Sequence, residues 1–387
     1  METLKHMFQN NIREYGMVIA LVSVMAFFEI VSQGTLLMPL NVTNLIQQNS
    51  YILILAIGML LVIVAFQIDL SVGSIAAFIG AISAILMVDY HVGVVAGVVI
   101  SLIVGGLAGA WHGYWISYFR IPAFIATLAG MLLFRGLTMT ALQGQSKGPF
   151  PVSFQKISNG FIPDFFSGTT LHITTLLVGV ILTLIYIYFE LSSRSTKKKY
   201  NFHVIPLQFS IAKMAIVGLA INWFMYLLAA YKGIPNVLIL LFVLIVFYTF
   251  ITTKTVLGRH IYAVGGNEKA AKLSGVKNKR IVFWVFVNMG VLSALSGLVF
   301  AARLNAATPK AGTGFELDAI AACFIGGAST AGGIGAVMGA IIGGLVMGVM
   351  NNGMSLMGVT IDMQQTIKGL VVLLAVAFDI YTKSKQS

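Results

Sequence analysis

Apolar runs recur along this chain, separated by short polar or glycine-bearing breaks. Long runs lie near 15–33, 50–67, 74–88, 92–116, 121–139, 170–190, 210–231, 236–253, 281–302, 331–350 and 361–380, and a half-length run, DAIAACFIGG, occupies 318–327. A helix crosses a bilayer with about 20 apolar residues. In lipid every backbone polar group must be satisfied within the chain. The pattern therefore predicts an all-α polytopic membrane protein of about twelve membrane segments, some short or broken.

The breaks carry the orientation. Basic residues collect in the tail (Lys5, Arg13), at 191–209 (Arg194, Lys197, Lys198, Lys199), at 254–280 (Lys254, Arg259, Lys269, Lys272, Lys277, Lys279, Arg280) and at the end (Lys383, Lys385). Short loops rich in Lys and Arg stay on the cytoplasmic side. With all four inside, five segments precede an outer loop at 140–169, three more lead to 254–280, and four return the C-terminus inside. That count closes only if 318–327 is a crossing. The chain then divides into a first transmembrane part (1–139), an outer loop with an inserted helix pair and a connecting span (140–253), a cytoplasmic strip (254–280) and the remaining spans (281–387).

An internal echo supports a repeat. FQIDLSVGSIAAF (66–78) resembles FELDAIAACF (315–324), with Asp69 opposite Asp318. Each is followed by small residues four apart: Gly97, Ser101, Gly105, Gly109 and Gly113, then Gly327, Ala331, Gly335, Gly339 and Gly343. At helical periodicity such a stripe lies on one face and lets backbones approach. The region 326–353 holds ten glycines, a density that predicts a broken or moving helix. On the expected topology the echoed segments run in opposite directions, which makes two inverted repeats of about five segments each with the extra helix pair between them.

Composition agrees with a lipid solvent. Of 387 residues, 58% are hydrophobic and 9% charged, and the mean hydropathy is +0.93. A net charge of +12 reflects cytoplasmic loops rather than nucleic-acid binding, since no nucleic-acid module is recognisable. A single cysteine, Cys323, excludes an intrachain disulfide and a cysteine metal cluster. The polar start METLKHMFQNNIREYG reads as no cleavable leader.

Few residues carry chemistry. Asp69, after a long apolar run, suits a polar path or a helix cap formed with Ser71 and Ser74. Glu316 and Asp318 open a segment and read as charges favoured by the helix dipole. Trp111, His112 and Trp115 in AWHGYW fit a sugar face and its hydroxyls, or a membrane interface. Asn352, beside Asn351, suits hydroxyl recognition or a cap next to Gly353. There is no phosphate loop, HExxH or GxSxG, so no catalytic group is expected, and no dense intramembrane proton relay. Uphill transport would then take its energy from another subunit.

The strip at 262–280 reads YAVGGNEKAAKLSGVKNKR. Asn267 is a candidate N-cap, Glu268 stands in the first turn and Gly275 is a terminator, which predicts a helix of about two turns laid on the membrane surface or pushed into a partner. Ala270, Ala271 and Gly275 form A-A-x-x-x-G. This resembles the signature of binding-protein-dependent ABC importer permeases, in which the short helix sits in a cleft of the ATPase subunit. Lys269 stands where that signature has a leading Glu, with Glu268 one place earlier, and the later Leu-Pro is absent. Both departures fit the monosaccharide branch. GRHIYAVGGNEKAAKLSGV (258–276), IDLSVGS (68–74), IPAFIATLAGMLLFRG (121–136) and ELDAIAACFIGGASTAGGIGAVMGA (316–340) are similar to ribose, galactose and xylose permeases. The likeness weakens at 140–235, where the extra helix pair resembles xylose and multiple-monosaccharide permeases.

The resemblance implies a homodimeric permease of a bacterial inner membrane, receiving a monosaccharide from an extracytoplasmic binding protein. ATP and Mg would be used by the partner ATPase, with no cofactor in this chain. Gly265, Gly266, Asn267, Glu268, Ala270, Ala271, Ser274 and Gly275 would form the ATPase contact. Asp69, Trp111, His112, Trp115 and Asn352 are candidates for the sugar path. Branched-chain amino acid and nucleoside permeases share the superfamily, so those cargoes remain alternatives, as does a stand-alone secondary transporter.

Overall fold

A computed structural model describes residues 12–166, 171–200, 202 and 206–384. Lys5 and Lys385 lie outside the described residues. The chain forms two compact units. One comprises the residues up to 36, 45–159 and 237 onward, and the other comprises 37–44 and 160–236.

The described residues form fifteen α-helices: α1 (Ile12–Val31), α2 (Pro39–Val64), α3 (Val72–Ala84, continued by a π turn Ile85–Asp89), α4 (Val94–Ser117), α5 (Ala123–Leu142), α6 (Val152–Asn159), α7 (Ile173–Lys199), α8 (Leu207–Ala229), α9 (Asn236–Lys254), α10 (Val256–Gly266), α11 (Glu268–Leu273), α12 (Asn278–Leu304), α13 (Phe315–Ile325), α14 (Val337–Leu356) and α15 (Ile361–Ser384). Among the described residues nine helices are long and apolar enough to cross a membrane. The other expected segments are α1, whose apolar part Gly16–Val31 is shorter, the eleven-residue α13, and α15. This is a multi-pass membrane protein.

In the second unit α7 and α8 pack together. Asp164 caps the start of α7, accepting from the Thr174 hydroxyl and from the amides of Ile173 and Thr174. The Thr174 hydroxyl, before the amides, holds its carboxyl down at about 2.

α2 begins well before its apolar run. Its early turns carry Asn49, Ser50 and Thr43, which return their hydrogen bonds to carbonyls one turn back on the same helix. Gln47 instead reaches the Ser158 carbonyl at 3.3 Å. Polar side chains satisfied in this way tolerate burial, and hydropathy does not register them.

The first small-residue stripe packs as expected. Gly97, Ser101, Gly105, Gly109 and Gly113 are all buried on α4. A Cβ at Gly109 would lie 2.2 Å from the Phe286 carbonyl oxygen, and one at Gly290 would lie 2.2 Å from the Gly105 carbonyl oxygen. The α4 and α12 backbones therefore touch directly.

The second stripe departs from expectation. Gly327, Ala331 and Gly335 lie on no helix; they belong to a turn-rich break between α13 and α14. Gly327, Gly332 and Gly333 take φ of +78°, +75° and +68°, a left-handed conformation that glycine adopts without strain. Only Gly339 and Gly343 continue the stripe on α14, against the Gly326 and Ala322 carbonyls. Glycines this dense weaken a helix by about 1 kcal/mol each relative to alanine, so the chain breaks there.

That break makes α13 a half-span of about 16 Å. Its first residue, Phe315, stacks on Tyr51 near the middle of α2, with ring centroids 4.0 Å apart. The start of α3 arrives at the same level, where the backbones of Gly73 and Gly312 are in contact.

Gly109→Val is expected to push its side chain into the Phe286 carbonyl and to cost about 1–3 kcal/mol or more. Gly136→Ala, which meets nothing within 4 Å, serves as the control. Thermal melting in detergent should drop by several degrees for the first variant only, and equal midpoints would contradict direct backbone contact.

Candidate functional site

The strip folds as a helix–cap–helix. Thr255 caps α10 by accepting from the Gly258 amide at 3.2 Å. α10 ends at Gly266, and Asn267 then caps α11, its Oδ1 accepting from the Ala270 amide at 2.9 Å. Glu268 sits in the first turn of α11, where the helix dipole favours a negative charge. Gly275 terminates the turn with φ +85°. Asn278, at the start of α12, donates from Nδ2 to the Glu268 carbonyl at 2.8 Å and pins the short helix in place.

Most of this helix faces outward. Gly266, Asn267, Glu268, Ala270, Ser274 and Gly275 are exposed, whereas Gly265 and Ala271 are buried. Leu273, which sequence reasoning did not single out, is 90% exposed. An isolated leucine on a surface needs no explanation, but one at the tip of a capped helix offers a partner an apolar knob. No sequence signal separates it from a buried leucine at the same spacing.

A groove of about 1080 Å³ opens beside the strip, walled also by residues 65–67 and by the corner between α4 and α5. Arg120, Lys269, Lys272, Lys277, Lys279 and Arg280 line it, with Glu268 as the only acidic group in the lining. The face is strongly positive.

The floor connects the strip to the broken segment. Gly265 is pressed against the Val64 carbonyl at the end of α2, and the Gly333 amide donates to that same carbonyl at 2.9 Å. The Tyr262 hydroxyl donates to the Gly335 carbonyl at 2.6 Å. The strip, the end of α2 and the 326–336 break are thus joined through backbone groups, which only small residues permit.

The candidates for a sugar path are brought together in part: Trp111, His112 and Trp115 are ring neighbours on α4, whereas Asn352 lies on α14. Asp69 is buried, and its Oδ1 accepts from the Ser71 amide at 2.8 Å and the Ser71 hydroxyl at 2.5 Å, a local turn that leads into α3. His112 is fully buried against Gly130, where a Cβ would overlap Nε2. Neither of its ring nitrogens has a hydrogen-bond partner among the described residues. Trp111 is 40% exposed, packs edge-on to Trp115, and belongs to a girdle with Tyr114, Tyr118 and Phe119 along the end of α4. Such a girdle marks a membrane–water interface. Asn352 is buried near the end of α14.

Sequence reasoning also passed over Lys368 and Arg135. Lys368 pairs with Asp318 at 3.1 Å, and Arg135 holds the Ala311 carbonyl at 2.5 Å. A lone cation inside an apolar run was the available signal. No group of three or more metal-ligating side chains occurs among the described residues.

Residues 41–376 match the family model described as branched-chain amino acid transport system / permease component. The chain is 38% identical over 97% of its length to the xylose transport system permease protein XylH of Haemophilus influenzae, covering 98% of that protein. It is 36% identical over 97% of its length to the XylH of Escherichia coli strain K12, covering 93% of it. It is 34% identical over 88% of its length to the ribose import permease protein RbsC of the same strain, covering 85% of it. No solved structure matches the chain.

Asn267→Ala removes the cap of α11 and is expected to cost about 1 kcal/mol locally. Amide exchange of residues 270–274, measured by mass spectrometry in nanodiscs, should then quicken roughly fivefold. Unchanged exchange would show that the cap contributes nothing.

Proposed function

We propose that this chain, which belongs to the family of branched-chain amino acid transport system permease components, carries a monosaccharide, a xylose-like pentose or a related hexose, into the cytoplasm by alternating access. The chain is a membrane permease subunit and not an enzyme. ATP and Mg²⁺ belong to an ABC ATPase partner, and sugar arrives on an extracytoplasmic binding protein. Two copies of the chain form the pathway in a bacterial inner membrane, with both termini cytoplasmic. Residues 1–139 and 281–387 belong to two inverted repeats, with the α7–α8 pair between them.

One observation carries the ATPase assignment: α11 is a capped, exposed helix between two spans, tipped by Leu273 and set beside a cationic groove. A solvated loop needs neither two caps nor an apolar tip. Gly266, Asn267, Glu268, Ala270, Ser274 and Gly275 make the contact with Leu273. Buried Gly265 and Ala271 hold the helix from beneath. ATP-driven closure of the partner then moves α11, α10 and the 326–336 break together, through the Gly265, Val64 and Gly333 backbones. Asp69 and His112 lie within electrostatic reach of each other and border the path. Trp111 and Trp115 anchor the interface.

The sugar cargo rests on similarity to proteins named for xylose and ribose transport over nearly the whole chain. The family description names branched-chain amino acids, which makes that cargo the second reading.

The test is coexpression with the ATPase and binding protein, followed by sugar-stimulated ATP hydrolysis and uptake in liposomes. Wild type should take up xylose in preference to leucine. Gly275→Arg should fold yet lose at least about tenfold of the stimulation, the scale of one interface hot spot. Hydrolysis and uptake indifferent to Gly275→Arg would remove the ATPase assignment. Preferential leucine uptake would replace the cargo.

A further inference from the structure

Ionisable groups inside a membrane are rare, face the protein interior or water, and mark solute paths. Here they gather around the first turn of α13. Glu316 and Asp318 come from α13, Arg303 from α12, Lys368 from α15 and Arg135 from α5, with the Tyr51 hydroxyl from α2.

The arrangement is specific. Lys368 Nζ lies 3.1 Å and 3.3 Å from the two Asp318 oxygens. Arg135 donates to the Ala311 and Pro309 carbonyls, fixing the chain that enters α13. The Glu316 carboxylate sits over Gly73, where a Cβ would come within 2.6 Å of Oε2. Tyr51 stacks on Phe315, and Phe300 closes edge-on against both rings at 5.3 Å and 5.0 Å. Asp318 follows Phe315 by three residues and Arg303 follows Phe300 by three, so each charge projects on the same side as its ring.

Asp318 and Arg303 thus lie one turn beyond the two rings that clasp Tyr51, and both act on its hydroxyl electrostatically. Among the described residues Arg303 has no ion-pair partner, and neither it nor the Tyr51 hydroxyl makes a side-chain hydrogen bond. A half-buried guanidinium without a carboxylate keeps its donors available. With Asp318 it offers acceptors and a planar donor fork across a tyrosine hydroxyl, the set that vicinal hydroxyls of a sugar satisfy. Three cations against two carboxylates leave the cluster close to balance, which suits a neutral polyol better than an anion.

We propose that Tyr51, Arg303 and Asp318 form a transit site for the sugar between α2, α12 and α13, gripping its hydroxyls, with Lys368 positioning Asp318. This rests on the sugar-import reading above and names the residues of its path. Admitting a sugar requires the segment that enters α13 to part from α3, and the contact there is between Gly73 and Gly312, while α3 rests on α12 through Ala76 and Gly297.

The experiment uses the reconstituted importer with its ATPase and binding protein. Sugar delivered per ATP hydrolysed is measured alongside the stimulation of hydrolysis by xylose-loaded binding protein. Tyr51→Phe removes one oxygen, and Arg303→Gln removes the charge. Each should lower xylose per ATP about tenfold, the scale of one lost polar contact in a desolvated site. Stimulated hydrolysis should stay within about twofold of wild type, since the α11 contact is untouched. Lys147→Gln, at the more exposed pair with Asp89, should change neither quantity.

A variant that lowers delivery and hydrolysis together would assign the cluster a structural role and overturn the transit site. So would an unchanged ratio in Tyr51→Phe, which decides the matter if Arg303→Gln fails to fold. If wild type delivers no sugar while hydrolysing ATP, the import reading itself falls, an outcome distinct from either.

Discussion

Backbone resting on backbone, at positions where a methyl group would not fit, is the contact on which the rest of this structure depends. Lipid tails are as apolar as leucine, so helices in a bilayer gain little from hiding leucines against each other. They gain from close approach. In this chain Gly105 and Gly109 of α4 meet Phe286 and Gly290 of α12 in that way, Gly297 meets Ala76, and Gly73 meets Gly312. These contacts place the start of α3 beside the segment that enters α13, near the level of Tyr51, where Asp318 of α13, paired with Lys368, and Arg303 of α12 both act on that tyrosine.

The same kind of contact ties the strip to the bundle. Gly265 lies on the Val64 carbonyl, to which the Gly333 amide is hydrogen-bonded, and Tyr262 fastens the far side of the break through Gly335. The surface of α11 is free for a partner while its base is fixed. On the proposed reading, a push on such a helix travels into the 326–336 break and then along α13 to the polar cluster at its start, the route from nucleotide to sugar.

Much of this was legible in the sequence where local chemistry decides. Asn267 and Gly275 bracket α11 as a cap and a terminator should, and the stripe on α4 reads directly as a packed face. Other features needed the third dimension. Hydropathy placed the start of α2 too late, because Thr43, Asn49 and Ser50 satisfy themselves on their own helix. The second stripe kept its period of four while its glycines took left-handed turns, and periodicity does not distinguish the two. Asp318 resembled a charge at a helix start; its partner, Lys368, is fifty residues away on another helix. Leu273 looked like any leucine until its exposure was seen.

The most direct measurement is a pair of spin-label distances in the assembled importer, without nucleotide and with ATP trapped. One pair joins Lys269→Cys to Ile334→Cys, both exposed, across the Gly265–Gly333 contact; the other joins Lys269→Cys to Lys310→Cys near the start of α13. Native Cys323 is buried and should not label. If the strip and the break move as one body, the first distance stays constant while the second shifts by several ångströms on trapping ATP. A first distance that changes while the second holds would mean that the strip moves alone, and coupling would have to run by another path.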